Sequence, residues 1–452
     1  MTPTDCLPDD LPAALVQRAA SRPDLGDGAY TLDSADGRFR LHYTLEGADA
    51  LRGVEDKNGD GVADVAVQIL SGLERARGVY QSWGWPDVVA DDGGGGTDAI
   101  DVYVHAIDGN GFAYPTTPND ARFASTCHIS LNNDLTDGDG AILRSVAGHE
   151  LHHCLQFGYT VNVHSWLYES AATWAQYRLE ESEALTLALD ALYIIRLLSP
   201  DDPVATTDGR FEYAGFFFWK FWTERRANGL GGPADDAAAV AAWEDMRGDG
   251  GWIIRMDEAS EARFGQPFAA TYAEWSAWNL FACARDDGQH YAGSPLPCGA
   301  DAEAPLVEST GPELSFEALE GRFTTQAASV SSGGDDAGAR LDCALVEPGE
   351  ASEAWVSLAA VDADGVLIAR ALGQVGEGAL NLPGPLDGVG ALWVTFSDTG
   401  KDQTGGLCTL TRETTKDGGC AVSPTRPGWL WVAGVLSFGL RRRRRLASAA
   451  PS

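Results

Sequence analysis

The sequence predicts an α+β chain, and three stretches carry that prediction. Short runs with two-residue alternation, Phe39–Tyr43, Ile100–Val104 and His128–Leu131, have the pattern of half-buried strands. From Trp166 to about Asp286, apolar residues recur at helical spacing with Pro and Gly between the segments. From about Leu314 to Glu413, runs such as Ala354–Leu358, Val366–Ala369 and Ala391–Phe396 are separated by Gly, Asp and Pro, the rhythm of a small β-sandwich.

In chain order, a leader occupies residues 1–38 and a first domain is expected over 39–286. After its opening strand, apolar residues at Val62, Val65, Ala66, Ile69, Leu70, Leu73, Ala76 and Tyr80 mark one face of a helix. The glycines Gly93 to Gly96 form a loop before the second strand. Ile142 to Phe157 reads as a helix closed by Gly158. Helical spacing then returns near 166–181, 183–198, 213–226, 237–246 and 268–284. Residues 287–313, rich in Gly, Pro and Asp, read as a linker to a β-sandwich over 314–413. A polar spacer over 414–426 contains Cys420, and 427–445 comprises an apolar helix and an Arg cluster.

The chain carries a formal charge of −34, from 66 acidic against 32 basic residues. That balance argues against nucleic acid and anionic membrane surfaces as partners, because both need clustered Lys and Arg; it suits solubility outside the cell. None of the eight cysteines forms a CxxC pair, which removes Cys-based zinc and thioredoxin-type chemistry. Their spacing instead invites disulfides between Cys283 and Cys298, Cys343 and Cys408, and Cys127 and Cys154, leaving Cys6 and Cys420 over. Met1 to Ala20 holds Asp5, Asp9 and Asp10 and lacks the apolar run of a secretory signal, so an exported chain is expected to have lost its signal or to begin upstream.

The strongest chemical signal is His149-Glu150-Leu151-His152-His153. On a helix, residues i and i+4 share a face, so His149 and His153 can put their imidazoles on one zinc ion. Glu150 then stands beside the metal, where a carboxylate can take a proton from zinc-activated water. His152 is the odd occupant: it offers a further nitrogen, but its position turns it partly away from the pair. A hydrolytic zinc needs a third protein ligand and an open position. Glu169, in Trp166-Leu167-Tyr168-Glu169-Ser170-Ala171-Ala172 on the next expected helix, is the best candidate, with His164 and Glu180 as alternatives. The small residues Ser170, Ala171 and Ala172 would let the two helices pack closely.

Asp56, Asn58, Asp60 and Asp64 place oxygen donors at alternate positions with Gly61 at the bend, like the start of an EF-hand-like calcium loop. Val67 stands where such a loop carries its bidentate Glu. Any calcium here is expected to be structural. At the far end, Pro427 to Leu440 is uncharged and precedes Arg441–Arg445. It is shorter than the roughly 20 apolar residues of a stable span. A marginal segment followed by a positive block fits a sorting signal held transiently in the membrane, with the arginines on the cytoplasmic side.

Taken in order, DKNGDGVAD before a helix, IDVYV, HELHHCLQFGY and WLYESAATW resemble a family of secreted bacterial metallopeptidases of the zinc-Glu, gluzincin-like type, met often in myxobacteria. The resemblance covers roughly residues 40 to 285. It implies a zincin-like catalytic domain, a small sheet plus active-site helix with a mostly helical second half, and Glu169 as third zinc ligand. It also implies a Tyr beyond that ligand as oxyanion donor, for which Tyr213 is the candidate. The tail resembles a MYXO-CTERM sorting signal, which implies export, processing near Cys420 by envelope machinery and retention at the cell surface. The expected function is zinc-dependent hydrolysis of peptide bonds in a protein or peptide substrate, endopeptidase rather than exopeptidase, with Glu150 as general base. The competing expectation is a catalytically inactive, metallopeptidase-like surface binding or adhesion protein.

Overall fold

Phe39 and Leu41 are fully buried and alternate with half-buried neighbours, so β2 (Phe39–Tyr43) forms where the sequence alternates. This computed structural model describes residues 21–414, apart from 92, 120–123, 139, 162, 180–191, 193, 248–250, 294–301 and 333–335. β1 (Tyr30–Asp33) pairs antiparallel with β2. β2, β3 (Ile100–His105) and β5 (Ala124–Asn132) run parallel, and β4 (Gly111–Asn119) pairs antiparallel with β5. The resulting order is β1-β2-β3-β5-β4, which leaves β4 as an edge strand.

One face of this sheet, made by Leu41, Val102, Val104, Ile129 and Leu131, is fully buried. It shares a core with the apolar stripe of α1 (Asp64–Trp83) and with α2 (Gly140–Phe157). Every residue of α2 from Ser145 to Phe157 is buried, so this helix is central rather than amphipathic. Gly148 makes that crowding feasible. A Cβ there would lie 2.3 Å from the Leu179 side chain, and the Gly148 carbonyl accepts a 2.9 Å hydrogen bond from Tyr80 of α1. A disulfide between Cys127 and Cys154 ties β5 to α2.

α3 (Ser165–Leu179) packs on α2, while Ser170, expected to ease that contact, meets the segment around Gly215 instead. Ser170 lies so close to Gly215 that a Cβ on Gly215 would stand 2.9 Å from that of Ser170. This brings in α4 (Phe211–Ala214) and α5 (Phe216–Glu224), and Trp219 donates to the Ser170 hydroxyl at 2.9 Å. α6 (Ala237–Asp245), α7 (Trp252–Phe264) and α8 (Phe268–Trp278) complete the helical part around buried Trp166, Phe218, Trp222 and Trp275.

The C-terminal strands form two facing sheets, as the sequence rhythm predicts. One has the order β11-β10-β13-β8-β6 and the other β12-β9-β14-β7. They comprise β6 (Val307–Ser309), β7 (Glu313–Phe316), β8 (Thr324–Ser331), β9 (Asp336–Val346), β10 (Ala354–Val361), β11 (Leu367–Gln374), β12 (Leu380–Leu386), β13 (Ala391–Asp398) and β14 (Gly405–Thr414). Leu341, Val356, Leu358, Val394, Phe396 and Leu410 fill the space between the sheets. Cys343 and Cys408 are directly opposed on β9 and β14 and form a disulfide.

The expected linker is not a tether where it is described. His290 and Tyr291 are buried, His290 stacks on Phe281, and Tyr291 donates to Asn279 at 2.6 Å. Nor does the sandwich stand apart. Ala327, Ala359, Val361 and Trp393, on the outer side of its five-stranded sheet, belong to the same core as the helices. Glu274 of α8 is gripped by Arg225 at 3.0 Å and by Arg370 of β11. A β-layer apolar on both faces must be covered on both, and α8 supplies the cover. Among the described residues no helix is long and apolar enough to cross a membrane. The expected leader over residues 1–38 is in part a sheet element, since β1 lies within it and pairs with β2; its residues 1–20, Cys420 of the spacer, the apolar run 427–440 and the Arg cluster lie outside the described residues.

Candidate metal centre

One group of three metal-capable side chains converges among the described residues: His149 and His153 on α2, and Glu169 on α3. His149 Nε2 lies 3.1 Å from His153 Nε2 and 3.2 Å from Glu169 Oε2; His153 Nε2 lies 3.4 Å from the same oxygen. Three donors of a tetrahedral zinc, each about 2.0–2.1 Å from the ion, stand about 3.3 Å apart. The spacing and the two-imidazole, one-carboxylate chemistry therefore fit that ion. Of the alternatives for the third donor, His164 is outside the converging group and packs beside Trp252, and Glu180 lies outside the described residues.

Both imidazoles are held from behind. His149 Nδ1 meets the Gln176 side-chain oxygen at 3.1 Å, and His153 Nδ1 meets that of Gln156 at 2.7 Å. Sequence reasoning missed both glutamines. Their signal was positional: Gln156 lies three residues after His153, and Gln176 lies seven after Glu169, two helical turns along one face. The electrostatics are those of mutual charge support. Burial pushes His153 down, but the Glu169 and Glu150 carboxylates outweigh it and raise its pKa to about 9. Burial likewise opposes ionisation of Glu169, and the two imidazoles overcome it, holding its carboxyl far below the ordinary range.

Glu150 is buried beside the trio, where desolvation raises its pKa against the pull of His149 and His153. The backbone N–H of Ala113 on β4 faces it and counters that rise slightly. That approach requires glycine at position 111, where a Cβ would stand 2.8 Å from Glu150 Oε1. Tyr213 of α4 reaches the same place: its ring stacks against His149 at 6.0 Å, and its hydroxyl feels the Glu169 carboxylate. The Glu169 charge and burial both raise that hydroxyl's pKa. His152 points elsewhere. It is fully buried, edge-on to Tyr80 and Trp85, and burial lowers its pKa well below the usual value although the Gln156 side chain opposes the shift.

The acidic loop behaves differently. Asp56 accepts from the backbone N–H groups of Gly59, Asp60 and Gly61 at 2.7–3.2 Å. Asn58 accepts from Asp60 N–H, Asp60 from Val62 N–H and Asp64 from Lys57 N–H. Its carboxylates do not gather into a metal-capable group. Of the expected disulfides, Cys127–Cys154 and Cys343–Cys408 form, and Cys283 is disulfide-bonded while Cys298 lies outside the described residues. Comparison with protein-family models and with curated proteins gives no match to this chain.

Proposed function

We propose that the chain is a zinc-dependent peptidase of zincin-like, gluzincin type, in which His149, His153 and Glu169 hold the metal. The observation that carries this is the near-equilateral triangle of two imidazole nitrogens and one carboxylate oxygen, with Glu150 buried alongside. A zinc ion bound there supplies Lewis acidity toward a carbonyl and toward water. Glu150, whose proton affinity is raised by burial, takes the proton from the attacking water and passes it to the leaving amine. Tyr213 stands beside Glu169, where its hydroxyl can turn to stabilise the developing oxyanion.

A peptide is favoured over other amides by the strand at the rim. β4 is an edge strand among the described residues, and Ala113 on it touches Glu150. An extended substrate can pair along such an edge and bring its carbonyl to the metal. Pro115 and Pro118 lack N–H donors and limit pairing to the strand's first half. The disulfides Cys127–Cys154 and Cys343–Cys408 support an oxidising, extracytoplasmic setting. In that setting the tail would act as the sorting signal that holds the enzyme at the cell surface.

The test compares wild type with Glu150→Gln on a broad peptide library, with zinc content measured for both. Wild type should cleave with one zinc per chain, and the variant should keep its zinc while losing about 10²–10⁴ in rate. Equal cleavage by the two proteins would refute the mechanism. A zinc-loaded wild type that cleaves nothing would favour the surface-binding alternative.

A further inference from the structure

We infer that Gln156, Gln176 and Ser145 are positioning residues that fix the tautomer of both histidines through two hydrogen-bond relays, each anchored on a backbone carbonyl. This rests on the proposal that the triad holds zinc. In the first relay, Gln156 lies between His153 Nδ1 at 2.7 Å and the Tyr168 carbonyl at 3.1 Å. A carbonyl can only accept, so the amide N–H₂ must face Tyr168 and the amide oxygen must face His153. Nδ1 is then the protonated nitrogen, and the Nε2 lone pair points at the metal position.

The second relay is longer and reaches the same result. The Ser145 hydroxyl lies 2.8 Å from the Ile142 carbonyl and 3.1 Å from Gln176 Nε2. Its one proton goes to the carbonyl, so its oxygen accepts from Gln176. The Gln176 oxygen therefore faces His149 Nδ1, at 3.1 Å, and again Nε2 carries the lone pair. Orientation of a ligating histidine through its other nitrogen is a general need of metal sites. What is particular here is that neutral amides meet it, with their polarity dictated by the main chain.

The two relays differ in one respect that makes them testable. A hydroxyl can turn round, whereas a carbonyl cannot. In Gln176→Glu, Ser145 can swing its proton onto the new carboxylate, and His149 keeps its acceptor. In Gln156→Glu, a carboxylate would face the Tyr168 carbonyl with no proton between them.

Zinc affinity is measured at pH 8 by chelator competition on the full chain, alongside the visible spectrum of the cobalt-substituted protein. Folding of each metal-free variant is checked by circular dichroism. Gln156→Met, Gln156→Glu and Gln176→Met should each lose about 10–100-fold in affinity with altered cobalt spectra, and Gln176→Glu should stay within about threefold of wild type. Equal affinities for the two Glu variants, or Met variants that bind like wild type, would overturn the relays while leaving the metal site standing. A wild type that binds no zinc would instead overturn the metal reading. Should the Gln156 variants not fold, the contrast between Gln176→Met and Gln176→Glu still decides.

Discussion

Two clusters of side chains with oxygen or nitrogen donors, the triad on α2 and α3 and the acidic loop before α1, have opposite relations to their own backbone. On α2 and α3, His149, His153 and Glu169 aim three donor atoms at one another across 3.1–3.4 Å, and the two histidines are held from behind by side-chain amides. In the loop at 56–64, Asp56 alone absorbs three backbone N–H groups, and Asn58, Asp60 and Asp64 take one each. Like charges and lone pairs brought together inside a protein are costly unless a cation or proton joins them. Carboxylates satisfied by the chain's own N–H groups have no such need. The difference teaches that donor count marks neither cluster as a site; the direction of the donors' other bonds does.

The largest effect expected from that contrast follows removal of a converging donor. Glu169→Ala or His153→Ala should weaken zinc binding by well more than the 10–100-fold that outer partners command, whereas Asp60→Ala should leave zinc affinity unchanged. Chelator competition on the three variants checks this, and a zinc affinity shared between loop and helices would break the comparison.

Next in size is the disulfide beside the site. Cys154 follows His153 directly, and its bond to Cys127 closes a 27-residue separation. Replacing both cysteines by Ser should cost about 3.5 kcal/mol of stability, read by denaturant unfolding of the zinc-loaded protein. The acidic loop has no such tether, and its stability contribution should be insensitive to reductant.

A third effect is set by pH. In the metal-free protein His153 is raised to about 9, because Glu169 and Glu150 outweigh burial. Its proton supports the fold fully below the unfolded histidine value of about 6.5, and that support is lost as pH rises through about 9. Zinc must displace the same proton. Apparent zinc affinity should therefore rise about tenfold per pH unit up to about 9 and then level off. The melting-temperature gap between zinc-loaded and metal-free protein should widen over the same window. A flat profile between pH 6 and 9 would show that the triad is not charged in the way its geometry implies.

The convergence of His149 and His153 was legible in the sequence because helical periodicity is rigid: i and i+4 share a face, and a second helix packed on the first can add Glu169. The supporting glutamines were not read, because their helical spacing from His153 and Glu169 places them on the right face but does not by itself distinguish an orienting amide from a surface one. β4 escaped notice because Pro115 and Pro118 break the strand pattern, and those same residues suit it to a sheet edge. α7 was hidden by its Gly-rich entry and by Glu258 and Glu261 on its open face. The shared core was unreadable for another reason. In Ala354–Val361, Val356 and Leu358 fill the sandwich while Ala359 and Val361 face the helices. A run that is apolar but for Ser357 announces two buried faces without saying what covers the second.

The smallest effect tests the other half of the comparison. Asp56 gathers the N–H groups of Gly59, Asp60 and Gly61 in the turn that leads into α1, and Gly59 and Gly61 sit at φ 75° and 86°, where glycine is at ease. The loop is exposed, so water can replace part of what Asp56 provides. Asp56→Ala should then cost about 1–2 kcal/mol, the range of a lost helix cap, and the cost should be the same with calcium or with a chelator. Thermal unfolding of wild type and variant in both conditions measures it. If calcium raises the wild-type melting temperature and Asp56→Ala abolishes that rise, the carboxylates are not spent on the backbone. The contrast between the two clusters would then become one between a site already converged and a site that rearranges around its ion.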